Sequence, residues 1–383
     1  MLVSTDKNGI NIKNIPIDAE SIEPPGDLVL LKILYGVSGE GSGHSSRARM
    51  IANHLLQSGH QVKIVSYDRG AANLKDDFDV IEIVGLSIIS EDNKISFLKT
   101  VSTNLGKLPE GTKAFNLLRK TFKEFEPDCV ITDFEPCTSY LANHYGLPLI
   151  TIDNQHRMRY MDYDCPSSLK KEALLTETVI KAMVPKPWVS LITTFHFDPL
   201  TRQHAFLFPP ILRETILEMK ASEKQHILVY VTAGFDSLIN LLPNFSREVF
   251  YVYGYNKEET IGNIHYRPFS KQGFLEDLAS AKAVIATAGF TLISESLYFA
   301  KPYLALPMKG QFEQHLNAHM LNTQGYGEEG LNPSVDSITA FLYRIPDYKE
   351  KLKSFPRSGN QAIKDKLDEL LANQMKLLLT FRR

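Results

Sequence analysis

The segment SGEGSGHSSR, residues 38–47, sets a histidine in a glycine-rich turn. His44 is the side chain best suited to take a proton, because an ordinary imidazole titrates near pH 6.5 and can accept one at neutral pH. Such a base works when a carboxylate fixes its orientation. Asp133, which closes the apolar run DCVITD, is the expected partner. Glu135 and Asp153 compete for that place, and His156, within DNQHRMRY, is a rival base. Each residue also has a purely structural reading. The glycines make a tight turn, His44 caps the helix after it, and Asp133 caps the helix a few residues further on.

A second stretch carries a different chemistry. Residues 283–318 read AVIATAGFTLISESLYFAKPYLALPMKGQFEQHLNA. The pattern predicts a short strand over 284–286, a turn at 288–289, a helix over 291–300 ended by Lys301-Pro302, and a second strand over 303–306. A strand that meets a glycine and then a helix leaves free N–H groups at the helix start, where an anion is favoured. Gly289, Phe290 and Thr291 would present those amides to a diphosphate. Glu295, one turn into the helix, offers two acceptor oxygens, enough for the two vicinal hydroxyls of a ribose. Glu313 and Gln314, after the second strand and its loop, can hydrogen-bond sugar hydroxyls. Upstream, RPFSKQGF at 267–274 holds Phe269, against which a planar base could pack. The plain alternatives are a solvent-facing helix position for Glu295 and an ordinary first helical turn for 313–314.

The elements that must hold these residues alternate regularly. A buried strand over 28–37 runs into the glycine loop, a helix over 47–57 and a strand over 60–67. Strands then recur at 128–132, 147–152 and 188–194, with helices at 112–125, 138–145 and 169–183 between them. Residues 195–224, with Phe208-Pro209-Pro210 inside, read as a crossing between domains. A second series starts with the strand at 226–231 and ends in a charged amphipathic helix at 361–376. Such alternation predicts two parallel sheets covered by helices, each with ligands at the strand carboxyl ends.

Composition narrows the function further. The 383 residues are enough for two domains, and 43% hydrophobic content allows each its own core. A net charge of −2 gives a nucleic-acid partner no general electrostatic support. Cys129, Cys137 and Cys165 show no CxxC spacing, so neither a disulfide framework nor a zinc site is indicated, and the cytoplasm is the expected compartment. The first twenty residues lack an apolar signal region, and no run of about 20 apolar residues could span a bilayer. A peripheral membrane contact, at the inner face of the membrane, stays open.

The stretch TAGFTLISESLYFAKPYLALPMKGQFEQHLNA resembles the donor-binding signature of GT-B glycosyltransferases, and is similar to the C-terminal region of the UDP-glucuronosyltransferase and MurG-like groups. GEGSGHSSR resembles the N-terminal glycine loop with histidine of that superfamily, and DCVITDFEP its strand ending in aspartate. The likeness covers most of residues 31–327. It implies an α/β GT-B fold, two Rossmann-like domains facing a cleft. Residues 1–27 would be a polar extension, 28–205 the acceptor domain, 206–355 the donor domain, and 356–383 a helix packing back across the cleft. It also implies an inverting transfer from a nucleotide-sugar, UDP-linked by analogy, to a hydroxyl acceptor, with no metal and no cofactor.

On that resemblance His44 falls on the base position, and Gly289 to Thr291 on the diphosphate loop. Glu295 falls on the ribose glutamate, and Glu313 and Gln314 on the residues that hold the donor sugar. Gly41, Gly43, Asp153 and His156 lie on the acceptor side. The chain departs from the pattern at three places: Thr287 stands where many members have a histidine, Leu292 where they have serine, and Ala300 where they have glycine. The competing functions are a sugar-nucleotide 2-epimerase on the same fold and a non-catalytic nucleotide-sugar or glycan binder.

Overall fold

The computed structural model describes residues 30–85, 90–91, 94–95, 108–231, 235–357 and 359–374. The expected extension over 1–27, most of residues 86–109 and residues 232–234 lie outside the described residues. The chain divides into two compact units, with the boundary between residues 211 and 212.

The first unit carries β1 (Lys32–Val37), α1 (Ser42–Gln57), β2 (Gln61–Ser66), α2 (Asp68–Leu74) and β3 (Val80–Glu82). A two-residue antiparallel pair, β4 (Ser90–Glu91) with β5 (Lys94–Ile95), follows in sequence but groups with the second unit. The first unit resumes with α3 (Leu108–Phe125), β6 (Cys129–Asp133), α4 (Pro136–His144) and β7 (Leu149–Asp153). It ends with α5 (Arg157–Tyr160), α6 (Lys170–Met183), β8 (Val189–Thr193) and β9 (Ala205–Phe208).

The strand order is β3-β2-β1-β6-β7-β8-β9, and every pairing is parallel. Parallel strands are covered on both faces, which is why β6, β7 and β8 are buried at all five positions. Ile33, Tyr35 and Val37 of β1 face one core with Ala48, Ile51, Ala52 and Leu55 of α1. Leu34 faces the opposite core, with Leu118 of α3 and Leu141 of α4.

The second unit holds α7 (Glu214–Glu218), β10 (His226–Tyr230), α8 (Asp236–Ile239), β11 (Val249–Tyr253), β12 (Glu259–Ile261) and β13 (Ile264–Tyr266). It continues with α9 (Lys271–Ser280), β14 (Ala283–Thr287), α10 (Phe290–Tyr298), β15 (Tyr303–Leu306), α11 (Phe312–Thr323), β16 (Gly327–Glu329) and α12 (Val335–Leu352). Its order is β12-β13-β11-β10-β14-β15-β16, parallel except for the exposed edge strand β12. Helix α12 buries Ile338, Phe341, Ile345 and Tyr348 against that sheet.

In each sheet the strand order reverses beside the first strand: between β1 and β6, and between β10 and β14. Crevices for ligands open at the carboxyl ends of strands at such reversals. Both stretches singled out in the sequence, the loop into α1 and the turn after β14, lie there.

Several boundaries differ from those read off the sequence. Strand β9 pairs with β8, so the first unit runs through residue 211 rather than 205, and the expected crossing begins later. The terminal helix α13 (Gln361–Glu369) and the turn after it bury Ile363, Leu367, Leu370 and Leu371 in the first unit's core. It is thus part of that unit by packing, and His54 Nε2 lies 2.8 Å from Asp368 Oδ1. Helix α1 starts at Ser42, five residues before the expected Arg47, because the positive φ of Gly41 (78°) already turns the chain into the helix. Helix α10 stops at Tyr298 and hands over to Ala300 at φ 56°.

Candidate active site

In the first unit, the early start of α1 puts Gly41 at the N-cap and Gly43 and His44 at the second and third helical positions. The helix has no side-chain cap and no acidic residue in its first turn, so its partial positive charge is uncompensated there. His44 Nδ1 lies 2.6 Å from Asp133 Oδ1. The strand register places Asp133 beside Val37, the last residue of β1, one short loop from α1.

Arg47, one turn further along α1, grips the same carboxylate with both arms: Nε donates to Oδ2 at 2.8 Å and Nη2 to Oδ1 at 2.7 Å. Its Nη1 donates to Asn154 Oδ1 at 3.2 Å. Asp133 is wholly buried. Burial pushes its carboxyl up, but Arg47 and then His44 outweigh that and hold it below its ordinary value. An ionised Asp133 can only accept, so Nδ1 of His44 carries the proton and donates. The lone pair is then on Nε2, which has no protein partner among the described residues. This is the tautomer a general base needs.

The competitors are engaged elsewhere. Glu135, not Asp133, caps α4, accepting from the N–H groups of Cys137 and Thr138 at 2.8 and 2.7 Å. Asp153 holds His156 twice, from its N–H at 2.9 Å and at Nδ1 at 2.7 Å. Both residues are fully buried, and among the described residues His156 Nε2 is buried without a hydrogen-bond partner. His156 sits closed in at the end of β7, where it cannot reach solvent as a free base.

In the second unit, the turn after β14 leads into α10 with Gly289 at the N-cap, again with no side-chain cap and no acid in the first turn. Asn317 of α11, wholly buried, donates to the Ala288 carbonyl at 2.8 Å and fixes this turn. Of the three amides expected to face a diphosphate, that of Gly289 is engaged: it donates to the Thr287 carbonyl at 2.8 Å. That amide is therefore not on offer to a diphosphate. The Phe290 ring is buried, and Thr291 is half-buried.

Glu295 faces inward, 2% exposed, not toward solvent. Arg213 Nε and Nη2 both reach its Oε1, at 2.7 and 2.6 Å. Burial raises its carboxyl above the ordinary value, with Arg213 opposing. Glu313 lies in the first turn of α11 and is half-buried. Gln314 spans the loop before that helix, its Oε1 accepting from the Met308 N–H at 3.1 Å and its Nε2 donating to Gln311 Oε1 at 2.6 Å. The Phe269 ring is 85% exposed, and its N–H donates to Asn256 Oδ1 at 3.0 Å. It is open to stack on a planar group, but no neighbouring ring holds it in place.

Three contributors went unnoticed in the sequence. Arg47 could have been found, since GHSSR puts it one helical turn after His44. Asn317 is the asparagine of the EQHLNA segment, inside the resembling stretch but given no role there. Arg213 lies 82 residues from Glu295, and only the fold brings them together. Among the described residues no group of three or more His, Cys, Asp or Glu side chains is placed to hold a metal ion. The three cysteines are unpaired with one another.

Residues 31–346 match the family profile described as Glycosyl transferase family 1. An uncharacterized glycosyltransferase of Methanosarcina acetivorans is 27% identical over 335 residues, covering 78% of this chain and 85% of that protein. The solved glycotransferase of kitacinnamycin is 14% identical with a TM-score of 0.65, over 89% of this chain and 99% of that one. Glycosyltransferase VinC, solved in complex with dTDP, is 13% identical with a TM-score of 0.60, over 88% of this chain and 100% of that one. At these identities the structures share the fold: two Rossmann-like parallel-sheet halves of GT-B type.

Proposed function

From the premise that the chain belongs to glycosyl transferase family 1, we propose that it moves a sugar from a nucleotide-sugar to a hydroxyl acceptor, with inversion, and that His44 is the base. The observation that carries this reading is the His44–Asp133 contact at 2.6 Å, fixed by Arg47 at the reversal point of the first sheet.

In this reading the acceptor O–H gives its proton to His44 Nε2 as the oxygen attacks the anomeric carbon. The bond from that carbon to the diphosphate breaks, and its electron pair leaves with the diphosphate. Asp133 stays ionised and stabilises the imidazolium. The departing charge meets the N-terminus of α10 at Phe290 and Thr291, which acts as preorganised positive charge rather than as a bound cation. Glu295 accepts from the ribose hydroxyls, with Arg213 opposing the protonation that burial favours. Glu313 and the loop tied by Gln314 contact the sugar. A UDP-linked donor fits the glutamate; the dTDP held by VinC makes a thymidine diphosphate donor the first comparison.

The test is release of nucleoside diphosphate from a donor panel. A transferase without acceptor releases it slowly, and His44→Ala lowers that rate by about 10²-fold or more, with donor binding unchanged. Conversion of the donor to a different sugar nucleotide would favour the epimerase instead, and binding without any chemistry would favour a binding protein.

A further inference from the structure

Helix α6 (Lys170–Met183) is poorly covered. Only Ile180 of its fourteen residues is buried. Leu174, Leu175 and Val179 are 67%, 57% and 42% exposed. At about 100° per residue these three fall on one outward arc. The arc between Leu174 and Val179 also takes in Lys171, Thr178 and Ala182, but neither Glu172 nor Glu177. Lys170 and Lys181 border it on the Leu174 side, with Glu177 just beyond them, and Glu172 borders it on the Val179 side, all exposed. None of the three lysines makes an ion pair among the described residues.

The surface continues onto neighbouring helices. Tyr140 of α4, 50% exposed, donates its hydroxyl to the Ala182 carbonyl of α6. Beyond it, α3 turns Lys113 and Lys123 outward, and Lys120 paired with Glu124 at 3.6 Å, while its apolar side packs on the sheet. The chain as a whole carries −2, so this basic and apolar layer is a local feature.

We propose that this face of the first unit docks on an anionic lipid bilayer, with α6 lying in the interface. Aliphatic side chains at the centre and lysines around and among them fit such a surface: the former enter the headgroup boundary, and the latter meet lipid phosphates. A second copy of the chain fits poorly. In a two-fold pairing each residue meets the same patch, which would set Lys171 against lysines, and lysine is depleted at protein interfaces. No helix of the described residues is long and apolar enough to cross a membrane, so the contact is a surface one.

The test is co-sedimentation of the full chain with vesicles of phosphatidylcholine, with and without phosphatidylglycerol. It needs no sugar transfer, so it stands apart from the reading of the catalytic site. The protein pellets with the anionic vesicles and releases in high salt. Leu174→Glu with Leu175→Glu lowers the affinity at least tenfold. Charge reversal at Lys170, Lys171 and Lys181 lowers it by about fivefold or more per residue. Melting temperature and far-ultraviolet circular dichroism are unchanged, because these side chains are exposed. Tyr343→Glu, at an 85% exposed position of the second unit, has no effect. Absence of pelleting, or pelleting that the variants leave intact, overturns the proposal. So does a concentration-dependent dimer in lipid-free solution that the same variants dissociate.

Discussion

Arg213 places two nitrogens on one oxygen of Glu295: Nε at 2.7 Å and Nη2 at 2.6 Å from Oε1. The arrangement leaves the other carboxylate oxygen, Oε2, outside the pair. A buried glutamate alone tends to take a proton, and Arg213 is the cation that opposes this. The folded-state value lies above the ordinary 4.5, so donor binding through a carboxylate weakens as pH falls through that raised value. Arg213→Met removes the opposing charge and moves the acid limb of donor affinity to still higher pH, whereas Arg213→Lys restores most of it. Titration calorimetry across pH checks this; an unmoved acid limb would show that Arg213 is merely packed there.

The triad of His44, Arg47 and Asp133 is expected to matter for stability as well as turnover. Asp133→Asn leaves the buried Arg47 without its counter-charge, which costs about 3–5 kcal/mol. Replacing Arg47 by Met in the same chain recovers much of that loss. Because the Asp133 carboxyl is held below its ordinary value, its contribution is present above about pH 4 and is lost as pH falls through the depressed value. Urea unfolding at several pH values reads both effects: wild type loses this contribution in acid, and the Asp133→Asn chain has none to lose.

Ala300 sits at φ 56°, the left-handed region, at the end of α10. The turn is otherwise well made, with Ala300 N–H on the Leu297 carbonyl and Lys301 N–H on that of Ser296. An L-residue pays about 1–2 kcal/mol to stand there, while glycine adds about 0.4–1 kcal/mol of unfolded-state entropy. Ala300→Gly therefore stabilises the protein by about 0.5 kcal/mol or more. A denaturation midpoint that falls instead would show that the alanine methyl is held by favourable packing.

Gly36 of β1 lies opposite Thr132, the neighbour of Asp133 in β6, and its missing side chain leaves room for Thr138 and Glu135. A Cβ there would stand 2.0 Å from Thr138 Oγ1 and 3.0 Å from Glu135 Oε2. Gly36→Ala thus breaks the Glu135 cap of α4 in the strand next to Asp133. The expected loss is about 1–3 kcal/mol, read from thermal or urea unfolding.

What the sequence disclosed was local. Each glycine turn stands directly between a strand and a helix, so the two helix starts and their neighbours His44 and Glu295 were visible as such. The parallel sheets followed from the alternation of strands and helices, although the edge strand β12 of the second sheet is antiparallel. What escaped depended on distant contacts. Arg213 and Glu295 are joined only by folding. Strand β9 was hidden by the prolines that follow it, and the home of α13 is set by which core receives Ile363 and Leu367. His156, read as a rival base on the acceptor side, is held inside by Asp153, a contact that its sequence neighbourhood does not announce. Helix α1 started early because glycine and serine are weak helix formers in the interior, yet cost little at the first positions.

The most direct test is calorimetric titration of wild type, Glu295→Ala and His44→Ala with UDP-, dTDP-, GDP- and CMP-sugars, paired with release of the donor's nucleotide, the diphosphate from the first three and CMP from the last. The account predicts that one nucleotide class binds wild type, that Glu295→Ala weakens it at least tenfold, and that His44→Ala binds normally while turning over about 10²-fold more slowly or worse. A panel to which wild type is blind, or turnover that survives both substitutions, would contradict it.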